Sequence, residues 1–151
     1  MMRHAITLFF LVVLFFIKTT YAQDNTIANN QTGNISVQLT GFENDQGTAK
    51  LCVCRSKDEY TGKAKEFCTA SKELKNKTAE WVFENMPYGR YSVKAFHDEN
   101  DNSKLDTNFA GMPIERYGFS NNARGRFGPP PYDSATFMLN CPQLKIAIEV
   151  K

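Results

Sequence analysis

The stretch HDENDNSKLDTN (residues 97–108) has an oxygen-bearing side chain at nearly every second position. Counted from its first aspartate, acidic and amide side chains fall at the first, third, fifth and ninth positions, and a backbone carbonyl is available at the seventh. This spacing is typical of a calcium-binding loop. The candidate ligands are Asp98, Asn100, Asn102, the backbone carbonyl of Lys104, and Asp106.

Two positions of this stretch depart from the calcium pattern. The sixth is Ser103 instead of glycine, and the twelfth is Phe109 instead of a bidentate glutamate. At most we expect a weak extracellular-type site, with a dissociation constant on the order of 10⁻⁴–10⁻³ M. The alternative is a polar turn in which these side chains accept hydrogen bonds from backbone amides, and Asp106 pairs with Arg116 or Arg124. Calcium is the one cofactor that the sequence suggests.

A long segment, residues 97–133, has little strand pattern but is rich in aromatic residues, arginines and glycines. Arginines beside aromatics on a long loop are typical of interaction hot spots. In the alternative interpretation, these side chains only pack the loop onto the domain or pair with nearby acids. The candidate residues for binding a ligand or partner are Arg116, Tyr117, Phe119, Arg124 and Arg126.

Catalysis is disfavoured by the histidine content. His97 is the one histidine outside the first 22 residues, so Ser-His or Cys-His chemistry would depend on it. A carboxylate-based hydrolase using Asp98, Asp101 or Asp106 is the least favoured alternative. The sequence therefore predicts a non-catalytic binding module, or else a structural domain with a weak calcium-stabilised loop.

The amino-terminal residues have the pattern of a secretory signal. Arg3 precedes an apolar run over residues 5–17, and Thr20-Tyr21-Ala22 supplies small residues for cleavage after Ala22. The run is shorter than the roughly 20 residues that a membrane-spanning helix needs. Removal of residues 1–22 also removes Arg3 and Lys18, so the formal charge of +2 falls to zero. We expect a secreted or periplasmic protein with an envelope or extracellular partner, without nucleic-acid binding and without stable membrane insertion.

Four cysteines follow the predicted signal, at positions 52, 54, 68 and 141. An even number in an oxidising compartment favours disulfides, and three pairings are possible. We predict Cys54–Cys68, because the loop between them is short, together with Cys52–Cys141. A Cys52–Cys68 pairing is the alternative assignment, and free buried thiols are the alternative to any disulfide.

Alternating apolar and polar residues predict the strands that position these groups. Six stretches alternate clearly, and a seventh strand is expected around residues 116–120. Short turns and the lack of a long amphipathic helix favour an all-β, antiparallel β-sandwich of about seven strands with one long ordered loop. A small barrel is the alternative. The predicted organisation is a signal peptide (1–22), a flexible leader (23–33) and one domain (34–151).

The stretch from Phe83 to Phe137 resembles a known bacterial family. Its consecutive motifs are a Phe-Glu-Asn and Pro-x-Gly-x-Tyr strand pair, His-Asp-x-Asn-x-Asn, Leu-Asp-x-Asn, Gly-Phe-Ser-Asn-Asn-Ala-Arg-Gly and Gly-Pro-Pro. These motifs resemble the exported domain of unknown function family 2141. The resemblance implies an exported β-sandwich similar to transthyretin-like or carboxypeptidase regulatory domains, and it implies no activity. The predicted fold class is accordingly a transthyretin-like or immunoglobulin-like sandwich. The four cysteines depart from the family pattern.

Overall fold

A computed structural model describes residues 31–151 of the chain. The predicted signal peptide and residues 23–30 of the predicted leader lie outside this range. The first strand already begins at Thr32, two residues before the predicted domain boundary. The strands are β1 (Thr32–Thr40), β2 (Thr48–Cys54), β3 (Cys68–Glu73), β4 (Ala79–Pro87), β5 (Gly89–Asp98), β6 (Tyr117–Phe119), β7 (Phe137–Leu139) and β8 (Gln143–Glu149).

The strands form two sheets, as expected for a β-sandwich. One sheet has the order β4-β1-β8, and the other has the order β3-β2-β5-β6, with β7 paired to the beginning of β5. All pairings are antiparallel except β1 with β8, which is parallel from Asn34 opposite Gln143 to Thr40 opposite Glu149. The antiparallel β-sandwich is confirmed, with this one parallel pair as a difference.

The core lies between the sheets and follows the alternation of the sequence. Ile35, Val37 and Leu39 of β1 are almost completely buried, as are Leu51 and Val53 of β2. Side chains on one face of a strand recur every second residue, so the intervening residues point outward. In β2 and β5 the outward positions include Lys50, Cys52, Lys94 and Phe96, which lie on the face away from the core.

One strand was missed by the sequence pattern, and one expected strand is confirmed. β3 is an edge strand with the sequence CTASKE, in which no residue is fully buried, so it carries no strong alternation. The expected strand around residues 116–120 is β6. The region between β2 and β3 begins with a four-residue helix, α1 (Lys57–Tyr60), whose amino terminus is capped by the Ser56 side chain.

The segment after β5 is held by many side chain to backbone hydrogen bonds. It passes through β6, a short 3₁₀ helix (Ser120–Asn122) and a second four-residue helix, α2 (Tyr132–Ala135), before β7. Phe119 is buried, whereas Phe109 and Phe127 project into solvent. None of the helices between residues 31 and 151 is long and apolar enough to span a membrane.

Candidate ligand cleft and its anchoring loop

A cleft of about 720 Å³ lies on the outer face of the five-stranded sheet. Its floor consists of outward-facing side chains from four neighbouring strands, because residues paired across strands share a face. One wall is formed by α1 and the residues after it, and the other by the loop that follows β5. The floor residues are Lys50, Cys52, Thr69, Ser71, Lys94, Phe96, Tyr117 and Phe119, and the walls include Tyr60, Glu66, Ser103, Leu105 and Pro129.

Aromatic rings give the cleft an apolar surface. Tyr60 lies 5.9 Å from Phe119 between ring centroids, and Phe119 lies 5.9 Å from Tyr117 in an edge-to-face arrangement. The Tyr60 hydroxyl donates a hydrogen bond to the carbonyl of Pro130 at 3.0 Å, which fixes the ring. Burial raises the pKa of Tyr60 to about 12, so this hydroxyl stays protonated at neutral pH.

Two lysines place positive charge in the floor, and each is held by an acid. The Lys94 ammonium lies 3.5 Å from Glu66 Oε1, donates to the Tyr60 carbonyl at 3.0 Å, and lies 5.7 Å from the centre of the Tyr60 ring. The Lys50 ammonium lies 3.2 Å from Asp98 Oδ2. Both lysines are partly buried, which weakens screening by solvent relative to a surface pair.

Asp98 anchors one wall of the cleft. Its carboxylate is fully buried and accepts hydrogen bonds from the backbone amides of Asn102 (2.9 Å) and Ser103 (2.8 Å). Together with its ion pair to Lys50, it therefore connects the floor of the cleft to the loop. Glu115 closes the same loop, since its two carboxylate oxygens accept from the amides of Glu99 (3.0 Å) and Asp106 (2.8 Å).

The remaining predicted calcium ligands form a hydrogen-bonded turn. The Asn100 and Asn102 side chains accept from the amides of Asn102 (3.2 Å) and Lys104 (2.8 Å). Asp106 accepts from the side-chain amides of Asn100 (2.7 Å) and Asn102 (3.0 Å). The polar turn described as the alternative is therefore present, but the expected arginine partner of Asp106 is wrong. Among residues 31–151, no group of three or more His, Cys, Asp and Glu side chains is placed to hold a metal ion. Calcium binding stays a prediction.

The three predicted binding arginines have different surroundings. Arg116 pairs with Glu43, and this hydrogen bond and charge lower the pKa of Glu43. Arg124 donates to the backbone carbonyls of Tyr117 (3.3 Å) and Glu149 (3.0 Å), between β6 and β8. Arg126 lies over the Phe127 ring, 5.5 Å from its centre, and is exposed. Tyr117 and Phe119, the other two candidates, lie in the cleft.

We expect Arg124→Ala to lower the free energy of unfolding by about 1–2 kcal/mol, because two carbonyls lose a charged donor at an exposed site. The matched change Arg126→Ala should stay within about 0.5 kcal/mol of the wild type. Urea unfolding of both variants measures the difference. Equal stability of the two variants would contradict a structural role for Arg124 and would return it to the ligand-binding candidates.

The predicted disulfides are absent from the structure, where all four cysteines are free. Cys68 is paired with Val53 and therefore faces the core, whereas Cys54 points to the opposite face of the sheet. Cys52 faces the cleft, whereas the backbone of Cys141 lies against Gly33 in the other sheet. Both predicted pairings are therefore wrong. Cys54–Cys68 fails because β3 was not recognised, so the side on which Cys68 projects was unknown. Cys52–Cys141 fails because Cys141 lies beside the other sheet. The alternative Cys52–Cys68 pairing fails for the same reason as Cys54–Cys68.

The family model described as "Uncharacterized protein conserved in bacteria (DUF2141)" matches residues 37–147. The chain belongs to the DUF2141 family. The match runs from the middle of β1 into β8, so it includes both sheets, the cleft and the anchoring loop of this DUF2141 protein. The resemblance noted in the sequence is thereby confirmed. No curated protein and no solved structure matches the chain.

Sequence reasoning missed Lys50, Lys94 and Phe96, which form the centre of the cleft floor of this DUF2141 protein. A signal for them was available. Outward positions of a sheet with one solvated face are normally polar. Phe96, which lies between Lys50 and Lys94, therefore marks a face that is covered by other residues or used for binding. Glu115 was also missed, because its amide partners are distant in sequence.

Proposed function

We propose that this DUF2141 protein is an exported, non-catalytic binding module whose ligand site is the cleft over the five-stranded sheet. The observation that carries the proposal is the cleft itself. A concave site of about 720 Å³ with aromatic side chains and a few fixed charged groups falls within the size and composition of small-molecule sites.

The chemistry of the floor suggests the class of ligand. Phe96, Tyr117 and Phe119 offer ring faces and edges for a flat or apolar group. Lys50 and Lys94 offer ammonium groups that can bind a carboxylate, sulfonate or phosphate, while Asp98 and Glu66 keep them in position. The cleft therefore suits a small amphipathic anion that carries an aromatic or apolar body.

The position of His97 supports a non-catalytic role. Its side chain is fully buried on the core side of β5, with Nε2 2.7 Å from the Gln46 carbonyl and its ring edge-to-face with Phe42. This is the one histidine between residues 31 and 151, and it points away from the cleft. Export is part of the proposal and is supported by the pattern of residues 1–22.

The probe for this proposal is 8-anilinonaphthalene-1-sulfonate, an aromatic anion of the expected class. We expect saturable fluorescence enhancement with the folded protein. Thr69→Trp should raise the dissociation constant about tenfold or more, because Thr69 is an exposed floor residue and a larger side chain there fills the cleft. Retained melting temperature confirms that the variant is folded.

Two control variants separate the cleft from other apolar surfaces. Val82→Trp adds the same side chain at an exposed position of β4 and should leave probe binding unchanged. Phe109→Ser removes a fully exposed apolar side chain from the loop that follows β5, and it should also leave probe binding unchanged. If Phe109→Ser abolishes the signal while Thr69→Trp keeps it, the cleft is not the binding site.

A further inference from the structure

Two thiols lie side by side at the edge of the cleft. Cys52 and Cys54 are two residues apart on β2, so both project from the outer face of the sheet. Cys52 is partly exposed and lines the cleft, whereas Cys54 is fully buried in a cluster with Tyr60 and Phe119. The pair therefore has one side open to the cleft and one side closed by aromatic rings.

The geometry of an extended strand prevents these two thiols from forming a disulfide with each other. Side chains two residues apart start about 6.6 Å from each other along the strand. A disulfide brings the two Cβ atoms to about 3.8 Å, so it would require the strand to buckle. Both thiols are free in the structure.

The two sulfurs differ in their surroundings. Cys52 lies at the cleft, directly opposite Lys94 in the register between β2 and β5. Cys54 is fully buried beside Tyr60 and Phe119. The pair therefore offers two sulfur donors on one face of β2, one reached from the cleft and one shielded from water.

We propose that Cys52 and Cys54 together bind one soft monovalent cation, Cu(I), as a two-coordinate site at the edge of the cleft. Thiolates suit soft metals such as Cu(I), zinc and iron–sulfur clusters. Among these, Cu(I), a d¹⁰ monovalent ion, can be satisfied by two ligands. Zinc requires four, and residues 31–151 contain no cluster of three or more suitable side chains. Binding is ligand exchange without oxidation: two thiol protons leave and two S–Cu bonds form.

Charge and burial are consistent with this ion. Two thiolates and one Cu(I) carry a net charge of −1, and the Lys94 ammonium on the neighbouring strand would be shared between this charge and Glu66. The aromatic cluster around Cys54 keeps water from the inner side of the site. The proposal does not depend on the ligand proposed for the cleft, because the thiols are a separate set of donors.

The test is an anaerobic titration of the reduced protein with Cu(I) buffered by bathocuproine disulfonate. A thiol assay on the unfolded protein should first give four thiols per chain. We then expect one Cu(I) per chain, and Cys52→Ser and Cys54→Ser should each weaken binding by more than the roughly 100-fold that changes around a metal site can cause. The matched controls Cys68→Ser and Cys141→Ser should bind as the wild type does.

A labelling experiment on the wild type guards against a misfolded Cys54 variant. Bound Cu(I) should protect Cys52 from iodoacetamide while Cys141 is labelled at its usual rate, as read by mass spectrometry. Binding in the wild type no tighter than in Cys52→Ser would overturn the proposal. So would a loss of binding in Cys141→Ser, or protection of Cys141 instead of Cys52.

Discussion

Replacing Asp98 with alanine should lower the free energy of unfolding by about 3 kcal/mol, near the lower end of the range for breaking a buried ion pair. The buried carboxylate accepts from two backbone amides and forms an ion pair with Lys50, so its removal leaves two donors without their acceptor and one ammonium without its counter-ion. The partial exposure of Lys50 keeps the loss from being larger. Urea unfolding measures the change, and probe binding in the cleft should weaken, because Ser103 and Lys50 both lose their anchor.

Asp101→Ala is the matched control, since Asp101 belongs to the same loop but is exposed and accepts only from the Thr48 hydroxyl at 2.9 Å. It should cost about 1–2 kcal/mol, less than Asp98→Ala, mainly because its φ of +56° suits aspartate better than alanine. The same pair of variants tests the calcium interpretation. If the loss in Asp98→Ala is equal with and without about 10 mM calcium, the loop is a polar turn. If calcium raises the melting temperature of the wild type and not of Asp98→Ala, the loop holds a metal.

The second large effect is expected for Gly47→Ala, in the turn before β2. Gly47 has a φ of +69°, and an added Cβ would lie 2.1 Å from the carbonyl oxygen of Asp98 and 2.7 Å from the Cα of Glu99. The positive φ costs about 1–2 kcal/mol for alanine, and overpacking against backbone costs about 1–3 kcal/mol more. We expect a total loss of about 4 kcal/mol in thermal or urea unfolding.

Gly62→Ala separates these two contributions. Gly62 has a similar φ of +75°, but nothing lies within 4 Å of the position of an added Cβ. This variant should therefore show only the backbone cost, about 1–2 kcal/mol. Equal losses at Gly47 and Gly62 would mean that the turn at Gly47 can move away from the backbone of Asp98 and Glu99. The close contact between them would then be unimportant for stability.

The sandwich was predictable because its strands bury one face each. Alternation at Ile35, Val37 and Leu39 reports burial directly, and the same holds for Leu51 and Val53. The edge strand β3 escaped detection, since an exposed strand does not need apolar residues at every second position. The error about Cys54–Cys68 followed from that omission, because a pairing argument needs the face on which each cysteine lies. The error about Cys52–Cys141 arose because strand alternation does not show to which sheet a strand belongs.

The candidate site was only partly predictable. The sequence identified Asp98 and the turn residues, because side-chain oxygens at alternate positions satisfy either a metal ion or backbone amides. Pattern alone could not show that Lys50, from another strand, supplies the counter-ion of Asp98. Cleft residues such as Lys94 and Tyr60 come together only through strand register and the packing of α1.

The parallel pairing of β1 with β8 has a kinetic consequence. β1 is the central strand of its sheet, and one of its two neighbours is more than 100 residues away in sequence, as Asn34 opposite Gln143 shows. Closing so long a loop costs entropy before any contact repays it, and domains rich in such pairings fold in milliseconds to seconds. A chain that has emerged only as far as β7 has its central strand open along one edge. Completion of this sheet must therefore wait for β8 (Gln143–Glu149) to emerge, so one edge of the central strand stays open for pairing, to a chaperone or to another chain, until that strand has been made.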